Sequence, residues 1–541
     1  MFYWETFQNG PTYPTELKPG FGDKIEKGEE VYLLSKIERQ TVHRKRASLE
    51  GHPRGPAEKF VKFLRSCGTV RRYRLPRHHR ITVISSMAIL GVHVVVSLIA
   101  LTILSKFRGR FSLSTIFLKG LFRYLPPSNE LLREAARIPA LNSRGRRRKQ
   151  EQAEREAKGF KVPKDSDFNL YVTEVRGEDL EQLPFYEHLV WLVDFIFFAL
   201  LVATISEGFK FFFPGNQDVN ISVVWLVIGV AFILHTLAKL TSAMLFSPEV
   251  EAERNLIICF AAVYFLGSLV FVMSCDKWLD IEFVDAFESL IKRANEFLRS
   301  QNVAADALLQ TRSPLLLYMT LSAMFSFTAS MLVFPNFRYA TMYSNALKVD
   351  SAATKFLLHI TFLLPVFTLL LFTQPAHNYL VNGPRKLLDE HQLDTLRLWA
   401  VVVWALLRLA LRRVHLQSHL DLALERVTSM RKETGNINSL DLQRMIFRYF
   451  SYFCAAALQY FIPVVLPLIL SFLLASLGNV SWIGLPASTE VVPEADNMAS
   501  LNVLISANVQ HAFWKLCLVF TVLVNTSITF IGFVYNSYLN A

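Results

Sequence analysis

The sequence predicts an all-α protein, a polytopic membrane helix bundle of about nine transmembrane helices (eight to ten) with interfacial amphipathic helices. Three observations predict it. Apolar residues make up 52% of the 541, with 44 phenylalanines among them. Charged residues are 19%, below the ~25% of soluble domains. The apolar residues also gather in separate runs of roughly 20, the length a helix needs to cross a hydrocarbon layer about 30 Å thick. A chain of mean hydropathy +0.30 needs more than its own core to bury such runs, and lipid supplies it.

In chain order the runs are Ile81–Leu104, Leu189–Ser206, Ile221–Phe246, Leu256–Met273, Pro314–Phe334, Phe356–Phe372, Leu396–Leu411, Tyr449–Leu477 and Phe513–Val534. The seventh is short and flanked by arginines. The eighth is long and holds Pro463 and Pro467, which are expected to kink it. Three connectors carry a helical rhythm suited to the membrane surface. Asp276–Arg299 repeats Ile281, Val284, Phe287, Ile291, Ala294 and Leu298; Val414–Arg431 repeats Leu416, Leu420, Leu424 and Val427; Arg110–Tyr124 is weaker. A helix packed on a neighbouring helix gives the same pattern. The other connectors are too short for a large soluble domain.

Lysine and arginine placement sets the orientation. Loop Ser105–Pro184 is strongly basic around Arg144, Arg146, Arg147, Arg148 and Lys149, and Arg412–Arg444 is basic too, whereas Gly478–Trp514 has neither lysine nor arginine between its ends. Nine spans reconcile the three: the first two loops are cytoplasmic, the last is external, and the carboxyl terminus is cytoplasmic. The net charge of +12 is thereby explained by topology, with no nucleic-acid partner required. Residues 1–86 form a basic extension without sustained apolar period, expected to be mostly disordered, and 87–541 form the transmembrane domain. Arg71, Arg72, Arg74, Arg77 and Arg80 directly precede the first span and resist export. Translation from Met87 would remove that conflict, so insertion and function are expected without residues 1–86.

Ionisable groups in hydrocarbon cost roughly 2.5–3.5 kcal/mol each, so they seek a partner or water. The spans hold Asp194, His235, Lys239, His359, Arg397 and Arg408, and Arg448 abuts the eighth. Asp194, Lys239, Arg408 and Arg448 fall at a similar depth near the cytoplasmic face, with His235 one turn from Lys239. They suggest an intramembrane polar cluster in which Asp194 pairs with Lys239 or Arg448, Arg408 being the weaker candidate. The alternative is that the bases snorkel to the interface; Asp194 is too short to do so. Asn220-Ile-Ser and Asn479-Val-Ser are external sequons, both so close to a helix that glycosylation is disfavoured. Asn525-Thr-Ser lies inside a span, out of reach.

No HExxH, GxSxG, Walker A or strand-borne GxGxxG is present, so neither an enzyme nor a bound cofactor is expected. Cys67, Cys259, Cys275, Cys454 and Cys517 include no CxxC pair and signal neither a disulfide framework nor a metal site.

Several stretches have a family look: MAILGVHVVVSL from Met87, GLFRYLPPSNELLREAA from Gly120, WLVDF from Trp191, LLHITFLLPVF from Leu357, RLWAVVVWALLRLALRRVHLQSHLDLALERV from Arg397 and LQYFIPVVLPLIL from Leu458. With them the chain resembles the transmembrane protein 161 family. The resemblance implies a multi-pass membrane protein without established enzymatic activity, in a family linked to excitability, cardiac rhythm and cell stress. It carries over Asp194, Arg397 and Arg408 as shared positions. Two readings of function follow. One is a regulator of ion currents, in the plasma membrane or an endomembrane, with the lipid bilayer and ion channels or other membrane proteins as partners. The other is a transporter or channel with a polar pathway around Asp194.

Overall fold

The computed structural model describes residues 94–106, 113–137, 159–212, 220–245, 251–300, 314–348, 351–384, 386–484 and 506–540. The expected disorder of residues 1–86 and the first 13 residues of the first span therefore lie outside the described residues.

The long helices follow the apolar runs but outlast them. They are α1 (Val94–Lys106), α5 (Tyr186–Phe212), α6 (Ser222–Leu245), α7 (Glu251–Trp278), α9 (Leu315–Ala346), α10 (Ala352–Leu371), α12 (Glu390–Ala410), α15 (Phe453–Leu477) and α16 (Ala507–Asn540). Shorter elements lie between them: α2 (Leu113–Leu118), β1 (Phe122–Leu125), α3 (Asn129–Ala135), β2 (Lys161–Pro163), β3 (Tyr171–Glu174), α4 (Gly177–Leu180), α8 (Phe283–Ser300), α11 (Gln374–Leu380), α13 (Arg412–Met430), β4 (Asn436–Asn438) and α14 (Ser439–Ser451). Among the described residues seven helical stretches are long and apolar enough to cross a membrane, those of α5, α6, α7, α9, α10, α14–α15 and α16. The expected count of about nine is thus met by seven on apolarity alone. The first run is described only from Val94, and α12 carries too much charge. Yet at 21 residues α12 spans about 31 Å. Its first turns reach the end of α10, where Arg397 Nε donates to the Leu371 carbonyl at 2.9 Å. Its last turn lies against Tyr339 of α9. It therefore runs the length of the bundle, and its charges are buried in protein.

Span ends drawn at hydropathy limits are too short because packing carries the helices on. The fifth run ends at Phe334, but α9 continues through Pro335 to Ala346. A proline removes one backbone bond; residues Ala329–Phe337 are all buried, and that packing outweighs the loss. α9 and α16 lie close enough that a Cβ on Gly532 would come 2.9 Å from the Cβ of Ala340, the kind of approach small residues permit between membrane helices.

At the centre is α15, apolar on every face and therefore buried on every face. Every residue from Phe453 to Ser471 is buried. Around it stand α5, α6, α9, α12 and α16. The outer helices turn large apolar side chains outward, as Ile258, Val263, Leu266 and Val270 do on α7 and Phe356, Leu363 and Phe367 on α10, a surface suited to lipid.

One end of the bundle carries a small folded lobe that the sequence reading did not anticipate. β1 pairs antiparallel with β3 (Phe122 opposite Glu174, Leu125 opposite Tyr171), and β2 pairs with β4 (Lys161 opposite Asn438). Leu132, Val162, Phe168, Val427, Leu442 and Ile446 form its core. The Gln417 side chain of α13 accepts from the Phe122 amide at 2.9 Å and donates to its carbonyl at 3.1 Å, completing the β1 edge as a strand would. Val414–Arg431, read as a surface helix, is thus a packed strut with Leu416, Leu420 and Val427 buried. Asp276–Arg299 splits. Asp276 ends α7 and caps α8, its carboxylate accepting from the amides of Phe283 (2.8 Å) and Val284 (2.7 Å).

Candidate functional site

Three layers of buried polar residues lie along α9, α12 and α16 and the connectors beside them. At the end opposite the lobe, Asp280 is presented by the α7–α8 connector, whose backbone is pinned by a bridge between Leu279 and Thr373 and by Asp280 N donating to the Phe372 carbonyl at 2.9 Å. Asp394 and Arg397 stand one turn apart on α12, His511 and Lys515 one turn apart on α16. Arg397 Nη1 lies 2.7 Å from both Asp280 Oδ2 and Asp394 Oδ1. Lys515 Nζ lies 3.4 Å from Asp280 and 3.5 Å from Asp394, and His511 Nε2 is 3.4 Å from Asp394 Oδ2. Arg397 is 2% exposed and Lys515 3%. Two carboxylates face one guanidinium and one ammonium, so these four charges cancel. Burial pushes the Asp280 carboxyl up, but Lys515 and Arg397 outweigh it and hold the group below the usual carboxylate range.

In the middle layer, Pro467 has no N–H to give the carbonyl of Pro463, four residues earlier on α15. Asn525 of α16 supplies the donor, its Nδ2 reaching Pro463 O at 2.9 Å. Asn525 Oδ1 accepts from Asn336 Nδ2 at 2.9 Å, and Asn336 also back-bonds to Leu332 O. Both asparagines are buried, 0% and 2% exposed, in keeping with a sequon out of reach.

Towards the lobe, the third layer holds Arg408, 1% exposed. Its guanidinium carbon lies 3.5 Å from the Tyr339 ring centroid, 5.5 Å from that of Tyr460 and 5.7 Å from that of Trp404. Such contacts are worth about 2 kcal/mol when desolvated, against a desolvation cost of several kcal/mol for a buried ion. The aromatic cage does not close that gap. Arg338, half-buried, sits 4.7 Å from the Tyr452 ring centroid. On α13, burial and then Arg408 push His415 down to about 3, while burial and then Arg338 do the same to His419, so both imidazoles are neutral.

The residues singled out in the sequence go to separate places. Asp194 is buried at 6% exposure, and its Oδ1 accepts from the Leu113 amide at 2.9 Å, capping the first turn of α2. Lys239 is exposed, with its Nζ 3.0 Å from His188 Nε2 across α5 and α6, and His235 is exposed on the same helix. Arg448 is half-buried at the end of α14. Arg408 stands in its own aromatic layer. His359 accepts from or donates to Tyr343 Oη at 2.7 Å. Asn220 caps the start of α6, where its Oδ1 accepts from the amide and hydroxyl of Ser222. Asn479 is exposed at φ 56°, just past the end of α15. Sequence reasoning missed Asp280, Asp394, His511 and Lys515 because they sit at or beyond the span limits, where charges are ordinary. Asn525 carried a signal, an amide inside an apolar run, that was read only as a sequon, and Asn336 lay two residues past the end drawn for the fifth run.

Among the described residues no group of three or more His, Cys, Asp or Glu side chains is placed to hold a metal, and Cys259, Cys275, Cys454 and Cys517 are free thiols. The apolar helices, the lipid-suited surface and the charges shielded inside define a multi-pass integral membrane protein. A family model described as "Predicted transmembrane protein 161AB" matches residues 88–528, and the chain belongs to that family. No solved structure matches it.

Proposed function

We propose that the chain is a non-enzymatic membrane protein that regulates ion currents, by binding a channel or by affecting the trafficking of one. The observation that supports this reading is the filled interior. The central helix α15 is buried without a break from Phe453 to Ser471, so no path runs along it. The links to excitability, heart rhythm and stress implied by the family resemblance agree with a modulator. Recordings from cells with and without the chain should show altered currents through channels already present. Purified protein in liposomes should pass no ions; flux there would sink this reading and favour the second.

That second reading is a transporter or channel in its own right. The polar layers on α9, α12 and α16 favour it, since charge aligned along a bundle is what an ion path requires. Its pathway would run past Arg397, Asn525 and Arg408, displaced from Asp194.

The orientation places the lobe and the carboxyl terminus in the cytoplasm and 478–514 outside, with the protein in the plasma membrane or an endomembrane. Side-chain contacts agree with the alternation of the spans: Asp280, Asp394 and Lys515 meet at one end, and Lys239–His188, Tyr343–His359 and Lys348–Glu425 lie towards the other. Tags inserted at Pro486 and after Ala541 should be reached from opposite sides of the membrane. Reactivity from one side only would mean the span count is off by one.

A further inference from the structure

Arg397 and Arg408 are eleven residues apart on α12 and equally buried, but only one of them has its charge answered. Arg397 meets two carboxylates. Among the described residues Arg408 meets none, and its Nε and Nη2 have no hydrogen-bond partner at all. The same holds for Trp404 Nε1, one turn before it on the same helix face, and for the hydroxyl of Tyr339, whose ring lies beneath the guanidinium. All three side chains line one small cavity between α9, α10, α12 and α16, whose lining also includes Thr361, Pro365 and Asn525. Trp404 is 2% exposed and Tyr339 3%. Four unpaired donor groups on three buried side chains around one void are far outside the usual economy of protein interiors, where buried polar atoms find partners.

We propose that this cavity is a binding site for a monatomic anion of chloride's class. The charge sign follows from the lining. The cavity presents a permanent cation and N–H and O–H donors. The hydroxyls of Thr361 and Thr529 are turned away, donating to the carbonyls of Leu357 and Asn525 at 2.8 and 2.6 Å. The void is small, which favours a monatomic anion over sulfate, phosphate or a lipid headgroup. A water alone would accept two of the free donors and leave the guanidinium uncompensated. An anion accepts all of them and neutralises the charge, which is what a buried cation without a carboxylate requires. The site is independent of the regulatory reading, since a modulator and a transporter could equally hold a structural or sensing anion.

The test is thermal unfolding of the full-length protein in detergent, with chloride replaced stepwise by gluconate at constant sodium concentration. Chloride and bromide should raise the midpoint in a saturable way, and sulfate should not. Arg408→Gln should abolish the dependence. Trp404→Phe, which removes one donor and keeps the cage aromatic, should raise the half-saturating chloride concentration about tenfold. If Arg408→Gln does not fold, the Trp404→Phe shift decides the matter. A wild-type midpoint indifferent to chloride, an equal response to sulfate, or an unchanged chloride response in either folded variant would overturn the proposal.

Discussion

Replacing Asp280 by asparagine is expected to lower the stability of the purified protein by about 3–5 kcal/mol, the cost of leaving a buried charge unmatched. The variant keeps the shape and removes one of two carboxylates that face Arg397 and Lys515. Asp394 is then left to answer two cations, one 2.7 Å away and one 3.5 Å away. Removing a cation along with the carboxylate should restore the balance. Asp280→Asn with Lys515→Met is expected to be less damaged than the sum of the two single variants, by about 1–3 kcal/mol of coupling. Strict additivity, measured by denaturation in detergent, would show that the two side chains do not share one network.

The same network sets a pH dependence. Asp280 has a folded pKa below its ordinary value of 3.8. A depressed carboxyl contributes stability that is complete above the unfolded pKa and is lost as pH falls through the folded one. The Asp280 contribution should therefore be constant from neutral pH down to about 4 and be lost only below it. In Asp280→Asn that acid limb should be weaker. The buried neutral His415 and His419, with folded pKa values of about 3, make total stability decline earlier, as pH falls through the unfolded histidine value of 6.5.

How much of this was legible beforehand differs between the bundle and its polar layers. The helices could be read because lipid imposes a simple rule, about 20 apolar residues per crossing, and among the described residues the chain obeys it at seven positions. α12 escapes the same rule because Arg397 and Arg408 are shielded by protein, which no local window registers. The lobe was hidden for another reason. Its strands are three or four residues long, and Lys161 pairs with Asn438 across about half the chain, so neither alternation nor proximity marks them. Among the site residues, the burial of Asp194 follows from its place inside a run. Its contact does not: a base was expected, and the described bond is to a backbone amide 81 residues earlier. Arg408 was judged near enough to water to need no partner. Its helix ends within two residues of it, but the α13 strut and the tyrosines of α9 and α15 cover that end, so what looked like an interface is interior. Depth along one helix is readable from sequence; cover supplied by another is not.

Asn525→Ala is expected to lower stability by about 1–3 kcal/mol, because two interhelical bonds vanish and the carbonyl of Pro463 loses its donor. Asn525→Asp should be worse than alanine. It keeps an acceptor for Asn336 but turns a second acceptor, or a buried charge, against the carbonyl that needs a donor. The decisive variant lies on the other helix. Pro467→Ala restores an N–H at the position whose partner is the Pro463 carbonyl, so α15 would satisfy itself and Asn525 would be less needed. Pro467→Ala combined with Asn525→Ala is therefore expected to be more stable than Asn525→Ala alone by about 1 kcal/mol. Rescue of that size ties the asparagine to the proline. If the double variant were no better than the single one, the carbonyl would have another donor, and the value of Asn525 would lie in Asn336 alone.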